Sequence, residues 1–241
     1  MHDSDPSQPP RHGAVFGASG GIGGALVAEL AGLGWRVAAG SRGGRRVEGA
    51  ASCFAFDLAD EASIAAAAAR LDPTTSLVVV ATGALVLPGE RGPERSLRQL
   101  DAEALADAFR LNTIGPAMIA KHVLPRLPRA RRSVFAALGA RVGSIGDNRL
   151  GGWHGYRASK AALAMLIRNF AIEMARTHPQ AIIVGLHPGT VATPLSAPFV
   201  KPGAAVFSPA DAARQLVEVL SALTPAQSGR VIDWAGKSVP E

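Results

Sequence analysis

A tyrosine and a lysine in Tyr156-Arg157-Ala158-Ser159-Lys160 are the pair whose types and spacing most directly suggest chemistry. Four residues apart on a helix, two side chains share a face. A tyrosine hydroxyl ordinarily loses its proton near pH ~10 and is a poor acid–base group at neutral pH. An ammonium beside it favours the phenolate and lowers that value. The pair can then give a proton to a substrate oxygen, or take one, while the neighbouring carbon reacts. Tyr156 is the only tyrosine in the chain, so no second phenol competes for the role.

The second chemical signal is Gly17-Ala18-Ser19-Gly20-Gly21-Ile22-Gly23. It follows a short apolar run and opens a helical stretch, the placement that gives a glycine-rich loop its meaning. Glycines at a strand end let the backbone approach a pyrophosphate. The helix behind offers free N–H groups and the positive end of its dipole. The spacing is G-x-x-x-G-x-G, over Gly17, Gly21 and Gly23, where the ordinary dinucleotide fingerprint is G-x-G-x-x-G.

The elements that must position these residues are legible as alternation. Apolar runs lie at Ala14–Gly17, Val37–Ala39, Cys53–Phe56, Leu77–Ala81, Val134–Leu138, Ile182–Leu186 and Val231–Ile232. Most lack polar alternation, as strands covered on both faces do. Helices are expected over Gly21–Leu33, Glu61–Leu71, one stretch from about Leu97 to Leu124, His154–Thr177 and Ala210–Leu223. Strand–helix alternation predicts an α/β domain, a doubly wound sheet of seven parallel strands joined by right-handed crossovers. The Ser41–Ser52 connection is too short for a full helix, and Gly43, Gly44 and Gly49 fit a loop there. Residues 1–12, with Pro6, Pro9 and Pro10, read as a flexible tail before a single domain at 13–241.

The chain has 241 residues and a net charge of +6. Its arginines are dispersed and lack the interleaved aromatics of a stacking platform, so nucleic acid is not an expected partner. No run approaches the ~18 apolar residues of a membrane span, and the N-terminal residues lack an apolar signal core. A cytoplasmic protein is expected. One cysteine, Cys53, excludes an internal disulfide. No metal site is read from the sequence. Neither Ser144 nor Ser159 sits in a G-x-S-x-G elbow, which argues against a serine hydrolase.

The glycine loop and the Tyr–Lys pair together resemble the short-chain dehydrogenase/reductase family, over roughly Ala14 to Gly236. The resemblance implies a hydride transfer between a nicotinamide dinucleotide and a small carbonyl or alcohol, with Tyr156 as acid–base and Lys160 as its activator and a holder of the ribose. It implies further roles. Asp57 and Leu58 would contact adenine, Asn112 would be the catalytic-helix asparagine, and Pro188, Gly189, Thr190 and Thr193 would border the nicotinamide, in the segment that begins at His187, with Thr190 near the carboxamide and Thr193 as a helix cap. The stretch Arg141–Ile145, with Gly151-Gly152-Trp153, is similar to the subgroup of small carbonyl reductases that includes the C-factor signalling protein. Two departures stand out. Ala81-Thr82-Gly83 replaces the family's Asn-Ala-Gly, and Leu138-Gly139-Ala140 occupies the place where serines are usual. Ser144, twelve residues before Tyr156, is one candidate for the catalytic serine; the other alignment puts that position at Gly139 or Ala140.

The second strand ends Ala39-Gly40-Ser41-Arg42, with no acid for a ribose 2′-hydroxyl. Arg42, beside Ser41, is suited to a 2′-phosphate, and Arg45 and Arg46 add to the local field. NADP(H) is therefore expected over NAD(H). The loops Leu85–Ser96 and Leu195–Phe207 would form the substrate pocket, and their residues suggest an apolar or aromatic carbonyl compound. A homodimer or homotetramer is expected from the resemblance and from the apolar helix Ala161–Met174. The alternative function is a nucleotide-binding regulatory or signalling protein with little turnover on the same fold.

Overall fold

Along each strand, successive side chains leave the sheet on opposite faces, and here both faces are apolar. In β1 (Arg11–Phe16), Ala14 and Phe16 enter one buried layer and Val15 the other. In β4 (Leu77–Val80), Val78 and Val80 join the first layer and Leu77 and Val79 the second. Such a sheet must be covered twice, and the helices divide accordingly. α1 (Gly21–Gly32) and α6 (Pro209–Ala222) pack on one face through Leu26, Val27, Leu30, Leu216 and Leu220. α2 (Glu61–Ala69), α4 (Gly115–Val123) and α5 (His154–Met174) cover the other through Ile64, Ile119, Leu163 and Ile167.

The computed structural model describes residues 10–87, 89, 91–200, 203 and 205–241. The remaining strands are β2 (Trp35–Ser41), β3 (Ser52–Ala55), β5 (Ser133–Leu138), β6 (Ala181–His187) and β7 (Val231–Asp233). All pairings are parallel, and the seven strands run in the order β3-β2-β1-β4-β5-β6-β7. The order reverses between β1 and β4, and a doubly wound sheet binds its ligand at that switch point, beyond the carboxyl ends of the strands. The seven-stranded parallel sheet expected from the alternation is the one found.

Two details depart from the sequence reading. Arg11 and His12, assigned to the flexible tail, belong to β1; residues 1–9 of that tail lie outside the described residues. The single helix expected over Leu97–Leu124 is broken. A 3-10 turn at Leu97–Gln99 is followed by α3 (Ala102–Phe109), whose N-terminus Asp101 caps by accepting from the Ala104 amide at 2.7 Å. A π turn at Arg110–Ile114 then leads into α4, which carries Pro116 in its first turn. Both substrate-pocket loops are described only in part, since residues 88, 90, 201, 202 and 204 lie outside. The β2–β3 connection contains no helix, as its length required.

Candidate active site

The glycine loop turns back on itself at the end of β1. The amides of Gly17 and Ala18 both donate to the Gly40 carbonyl on β2, at 2.9 and 2.8 Å. Gly17 has φ +90°, and a Cβ there would stand 2.9 Å from the Ala81 carbonyl carbon. A Cβ on Gly23 would come within 2.3 Å of the Gly17 carbonyl oxygen, so both positions require glycine. The result is that α1 begins on bare backbone. Its N-cap Gly20 supplies no side-chain bond, and its first turn holds no acidic residue. By contrast, Asp60, Asp101 and Ser208 cap α2, α3 and α6. Open N–H groups at a helix start form an anion site.

That end of α1 is one wall of a cleft of about 530 Å³. Ser19, Gly20, Gly21, Ile22 and Gly23 line it, as do Ala81, Thr82 and Gly83 after β4 and Pro188, Gly189, Thr190 and Thr193 after β6. Tyr156 and Lys160 line the same cleft from α5. The Oγ1 of Thr82 is buried there without a hydrogen-bond partner among the described residues, an open polar atom on the wall. Ser41 is buried at the end of β2 and Arg42 follows it, exposed. Asp57 and Leu58 follow β3, the outermost strand on that side. Leu58 packs so closely on Gly115 that a Cβ there would meet its Cδ2 at 2.7 Å. These four residues lie at the same edge of the sheet but do not line the cleft. The open helix end, the glycine cradle and the orphaned Thr82 hydroxyl fit a dinucleotide's phosphates and polar edges.

Burial sets the protonation of Tyr156 and Lys160. The Tyr156 hydroxyl is pushed up to about 12 by desolvation, and Lys160 is pushed down to about 8 for the same reason. The sequence reading expected the ammonium to lower the tyrosine. Instead Lys160 Nζ lies 5.8 Å from the ring centroid and donates to the Leu138 carbonyl at 2.7 Å. A tyrosine held protonated is a proton donor at neutral pH.

Asn112 sits on the π turn and is wholly buried. A π turn is one extra residue in a helix and re-aims the side chains around it. The Asn112 carbonyl oxygen accepts from the Ala84 amide at 2.8 Å. Its amide donates to the Ala84 carbonyl at 2.9 Å and to Ser159 Oγ at 3.2 Å. Ser159 Oγ in turn donates to the Tyr156 carbonyl at 2.9 Å. Asn112 therefore ties the loop after β4 to the helix that carries Tyr156 and Lys160.

Ser144 does not join this group. The chain leaves β5 through a 3-10 turn at Arg141–Gly143, and the Ser144 hydroxyl accepts from the Asp147 amide at 3.0 Å, closing a local turn. It lines a neighbouring depression with Ile145, Met165 and the C-terminal residues, which borders the cleft across Gly139, Ala140 and Lys160. Gly139, Ala140 and Val142 face the cleft near Tyr156 instead, and none carries a hydroxyl. Thr193, for which a helix-capping role was expected, heads a turn. Its carbonyl accepts from Ser196 and Ala197, and only a 3-10 turn at Ala197–Phe199 follows.

Sequence reasoning foresaw neither the conformation of Trp153 nor the part played by Glu94. Trp153, the sole non-glycine residue at positive φ among the described residues, adopts φ +52°, ψ +42° immediately before α5. Its ring stands edge-on to Tyr156 and to Phe199, with centroids 6.3 and 5.5 Å apart, and so joins the loop after β6 to Tyr156. Its amide donates to the Glu94 carbonyl at 2.5 Å. The buried Glu94 carboxylate accepts from the Gly155 amide at 3.1 and 3.3 Å. The sequence gives this contact no distinct signal, since Glu94 is one of four charged residues in the Leu85–Ser96 loop, with Glu90, Arg91 and Arg95.

Comparison with known proteins agrees with this arrangement. The family profile of the short chain dehydrogenases matches residues 12–203. The C-signal of Myxococcus xanthus is 33% identical over 146 residues, 60% of this chain and 83% of that protein. The 1-hydroxy-2-glutathionyl-2-methyl-3-butene dehydrogenase of Rhodococcus sp. is 36% identical over 132 residues, 54% of this chain and 56% of that one. The matched stretch thus spans little more than half of the Rhodococcus enzyme. Among solved structures, a short-chain dehydrogenase/reductase from Burkholderia multivorans with bound NADP superposes with a TM-score of 0.81 at 26% identity, over 97% of this chain and 100% of that one. An NADPH-bound carbonyl reductase from chicken fatty liver shares the fold at a TM-score of 0.80 and 24% identity, covering 96% and 94%. With its sheet order, glycine loop and Tyr–Lys helix in place, this chain belongs to the short chain dehydrogenase family, the NAD(P)-dependent dehydrogenases and reductases.

Proposed function

We propose that this protein reduces a small apolar or aromatic carbonyl compound, with NADPH as hydride donor and Tyr156 as proton donor. The observation that carries the reading is the shared cleft: Tyr156 and Lys160 on one wall, the uncapped start of α1 on another. The nicotinamide supplies the hydride when bound. After Gly20, whose own amide donates to the Gly17 carbonyl, Gly21, Ile22 and Gly23 offer backbone N–H groups to the pyrophosphate. Exposed Arg42, reinforced by Arg45 and Arg46, pairs with the 2′-phosphate. Trp153, Leu85, Leu195, Phe199 and Val200 give the substrate end of the cleft its apolar walls. Tyr156 then gives its proton to the substrate oxygen as negative charge develops there, and Lys160 holds the ribose and favours the phenolate left behind. Support for NADP(H) comes from the missing acid at the end of β2 and from the NADP held by the Burkholderia structure. Met165 and Ile172 stand 62% and 50% exposed on the outer side of α5, which supports assembly of copies through that face.

The test is a panel of aldehydes, ketones and quinones offered with NADPH and with NADH, following oxidation of the cofactor. Turnover with NADPH is expected for at least one class. Tyr156→Phe keeps the ring and removes the hydroxyl, so it should cut that turnover by ~100-fold or more with little change in cofactor affinity. The absence of a hydroxyl at Gly139 and Ala140 favours one other reading, a nucleotide-binding regulator with little turnover. NADPH binding with no turnover across the panel would support that one.

A further inference from the structure

The cleft has lost one hydrogen-bond donor, and a second polar side chain stands beside the gap. In the reading above, Tyr156 must meet an oxygen that grows negative during hydride transfer. A single hydroxyl gives such an oxygen one donor, whereas preorganised donors in a dry site stabilise it most when more than one is aimed at it. Next to Tyr156 the end of β5 offers only Leu138, Gly139, Ala140 and Val142. Ser144 does not line this cleft; it lines the neighbouring depression, where its oxygen accepts from the Asp147 amide.

On the neighbouring strand the register pairs Leu138 with Leu186, which brings His187 alongside Gly139. His187 ends β6, pairs across its other side with Asp233 of β7, and lines the cleft together with Tyr156, Lys160, Gly139 and Ala140. Its Nδ1 is buried and makes no hydrogen bond among the described residues. Such an atom is costly unless a ligand completes it. Asp233 does not satisfy it: that carboxylate accepts from the Ala235 and Lys237 amides at 3.0 and 2.9 Å, closing its own turn. Desolvation, with Arg141 nearby and against the pull of Asp233, holds the imidazole down to about 4, so the ring is neutral at physiological pH. A neutral imidazole keeps one N–H to donate and adds no charge to the site.

We propose that His187 is a catalytic residue that hydrogen-bonds the substrate oxygen, taking the place of the hydroxyl absent from Gly139 and Ala140. This rests on the carbonyl-reductase reading. The hydride adds to the carbonyl carbon, the C=O π pair moves to oxygen, and Tyr156 supplies the proton; His187 donates a hydrogen bond and gives up no proton.

The experiment is a double-mutant cycle between the two strands, read on the best panel substrate with NADPH affinity measured separately. Ala140 is the place to restore a hydroxyl. Both positions line the cleft, but a side chain grown at Gly139 would head for Val231, 3.5 Å from its Cβ. His187→Leu removes the donor and keeps an apolar filling. It should lower kcat/KM by ~10–100-fold, the range of a lost oxyanion donor, and leave NADPH affinity within about twofold. His187→Asn keeps an N–H on a short stem and should recover much of the loss. Ala140→Ser should raise His187→Leu by about tenfold and the unmutated protein by less than about threefold. Retained NADPH binding in each variant establishes that it has folded. Three outcomes would overturn the inference: wild-type kcat/KM in His187→Leu, a loss confined to NADPH affinity, or an equal gain from Ala140→Ser in both backgrounds. The last two would mark His187 as a cofactor contact and a packing residue respectively. If the unmutated protein reduces nothing on the panel, the carbonyl-reductase reading itself has failed.

Discussion

Two helices begin at the cleft, α1 and α5, and they begin in opposite ways. α1 starts on Gly20, with no side chain bonded to its first amides and no acid in its first turn. α5 also has no cap from its own chain segment, but Glu94 reaches across from the loop after β4 and takes the Gly155 amide on its carboxylate. Both helix ends carry the same partial positive charge. One is left for a ligand from solution, and the other is filled by the protein itself. The difference follows from what each helix carries. α1 offers only backbone, so its open end is the working part. α5 carries Tyr156 in its first turn, and the start of that helix has to be fixed before the hydroxyl can be aimed.

Closing the open end is the most severe way to test that contrast. Gly20 has φ −79° and ψ 159°, a conformation any residue adopts, and the nearest atom to a new Cβ is the Gly17 carbonyl at 3.4 Å. Gly20→Asp therefore fits, and its carboxylate would cap α1 as Asp60 and Asp101 cap their own helices. Stability of the free protein should be unchanged or rise by a few tenths of a kcal/mol, the margin between Asp and Gly at an N-cap. NADPH affinity should fall by ~100-fold or more, because a carboxylate now stands where the pyrophosphate would bind, and like charges so placed cost several kcal/mol. Thermal unfolding and a fluorescence titration measure the two effects. Undiminished NADPH binding would show that the phosphates do not use this helix end.

Arg42 sharpens the same side of the comparison with a smaller expected effect. It stands at the end of β2, exposed, where only a 2′-phosphate distinguishes the two cofactors. Arg42→Ala should weaken NADPH by roughly 1.5–3 kcal/mol, the loss of a hydrogen bond to a charged group, and leave NADH nearly as it was. Equal losses for both cofactors would remove Arg42 from the specificity site.

The two helix ends also differ in how well the sequence discloses them. Everything that opens α1 lies within Gly17–Gly23, so strand, loop and helix could be read from one short stretch. The same holds for Tyr156 and Lys160, joined by helical spacing alone. What surrounds them is assembled from distance. Glu94 meets Gly155 from 61 residues away, and Asn112 reaches Ser159 across 47. The π turn that aims Asn112 has no spacing signature, because a periodic helix pattern runs through Leu97–Leu124 on either side of it. Ser144 shows the opposite failure. Its distance from Tyr156 along the chain matched the family pattern, but the 3-10 turn at Arg141–Gly143 spends that length locally and leaves the hydroxyl on an amide three residues on. Separation in sequence fixes position only where the intervening chain is regular.

The filled end can be tested by emptying it. Glu94→Ala would leave the Gly155 amide without its acceptor and remove the negative charge from the start of α5. A lost cap of this kind costs ~1–2 kcal/mol, which lowers the unfolding temperature by roughly 2–4 °C per kcal/mol in a domain of this size. Glu94→Gln keeps an acceptor oxygen in reach of Gly155 and loses only the charge, so its cost should stay at about 0.3–1 kcal/mol. The functional consequence separates a fixture from a mere brace. Trp153 adopts φ +52° beside this cap; its amide bonds the Glu94 main-chain carbonyl, which the substitution keeps, and its ring stands against both Tyr156 and Phe199. Freed of the side-chain anchor, that segment has a left-handed residue to relax, worth of order 1 kcal/mol of strain. Tyr156 should then sample more than one position, and turnover should drop several-fold in Glu94→Ala while NADPH affinity, set at the other helix, holds. If Glu94→Ala unfolds at the wild-type temperature, the trans cap contributes nothing. If it is destabilised but turns over normally, α5 does not need a fixed start, and the contrast with α1 is one of stability alone.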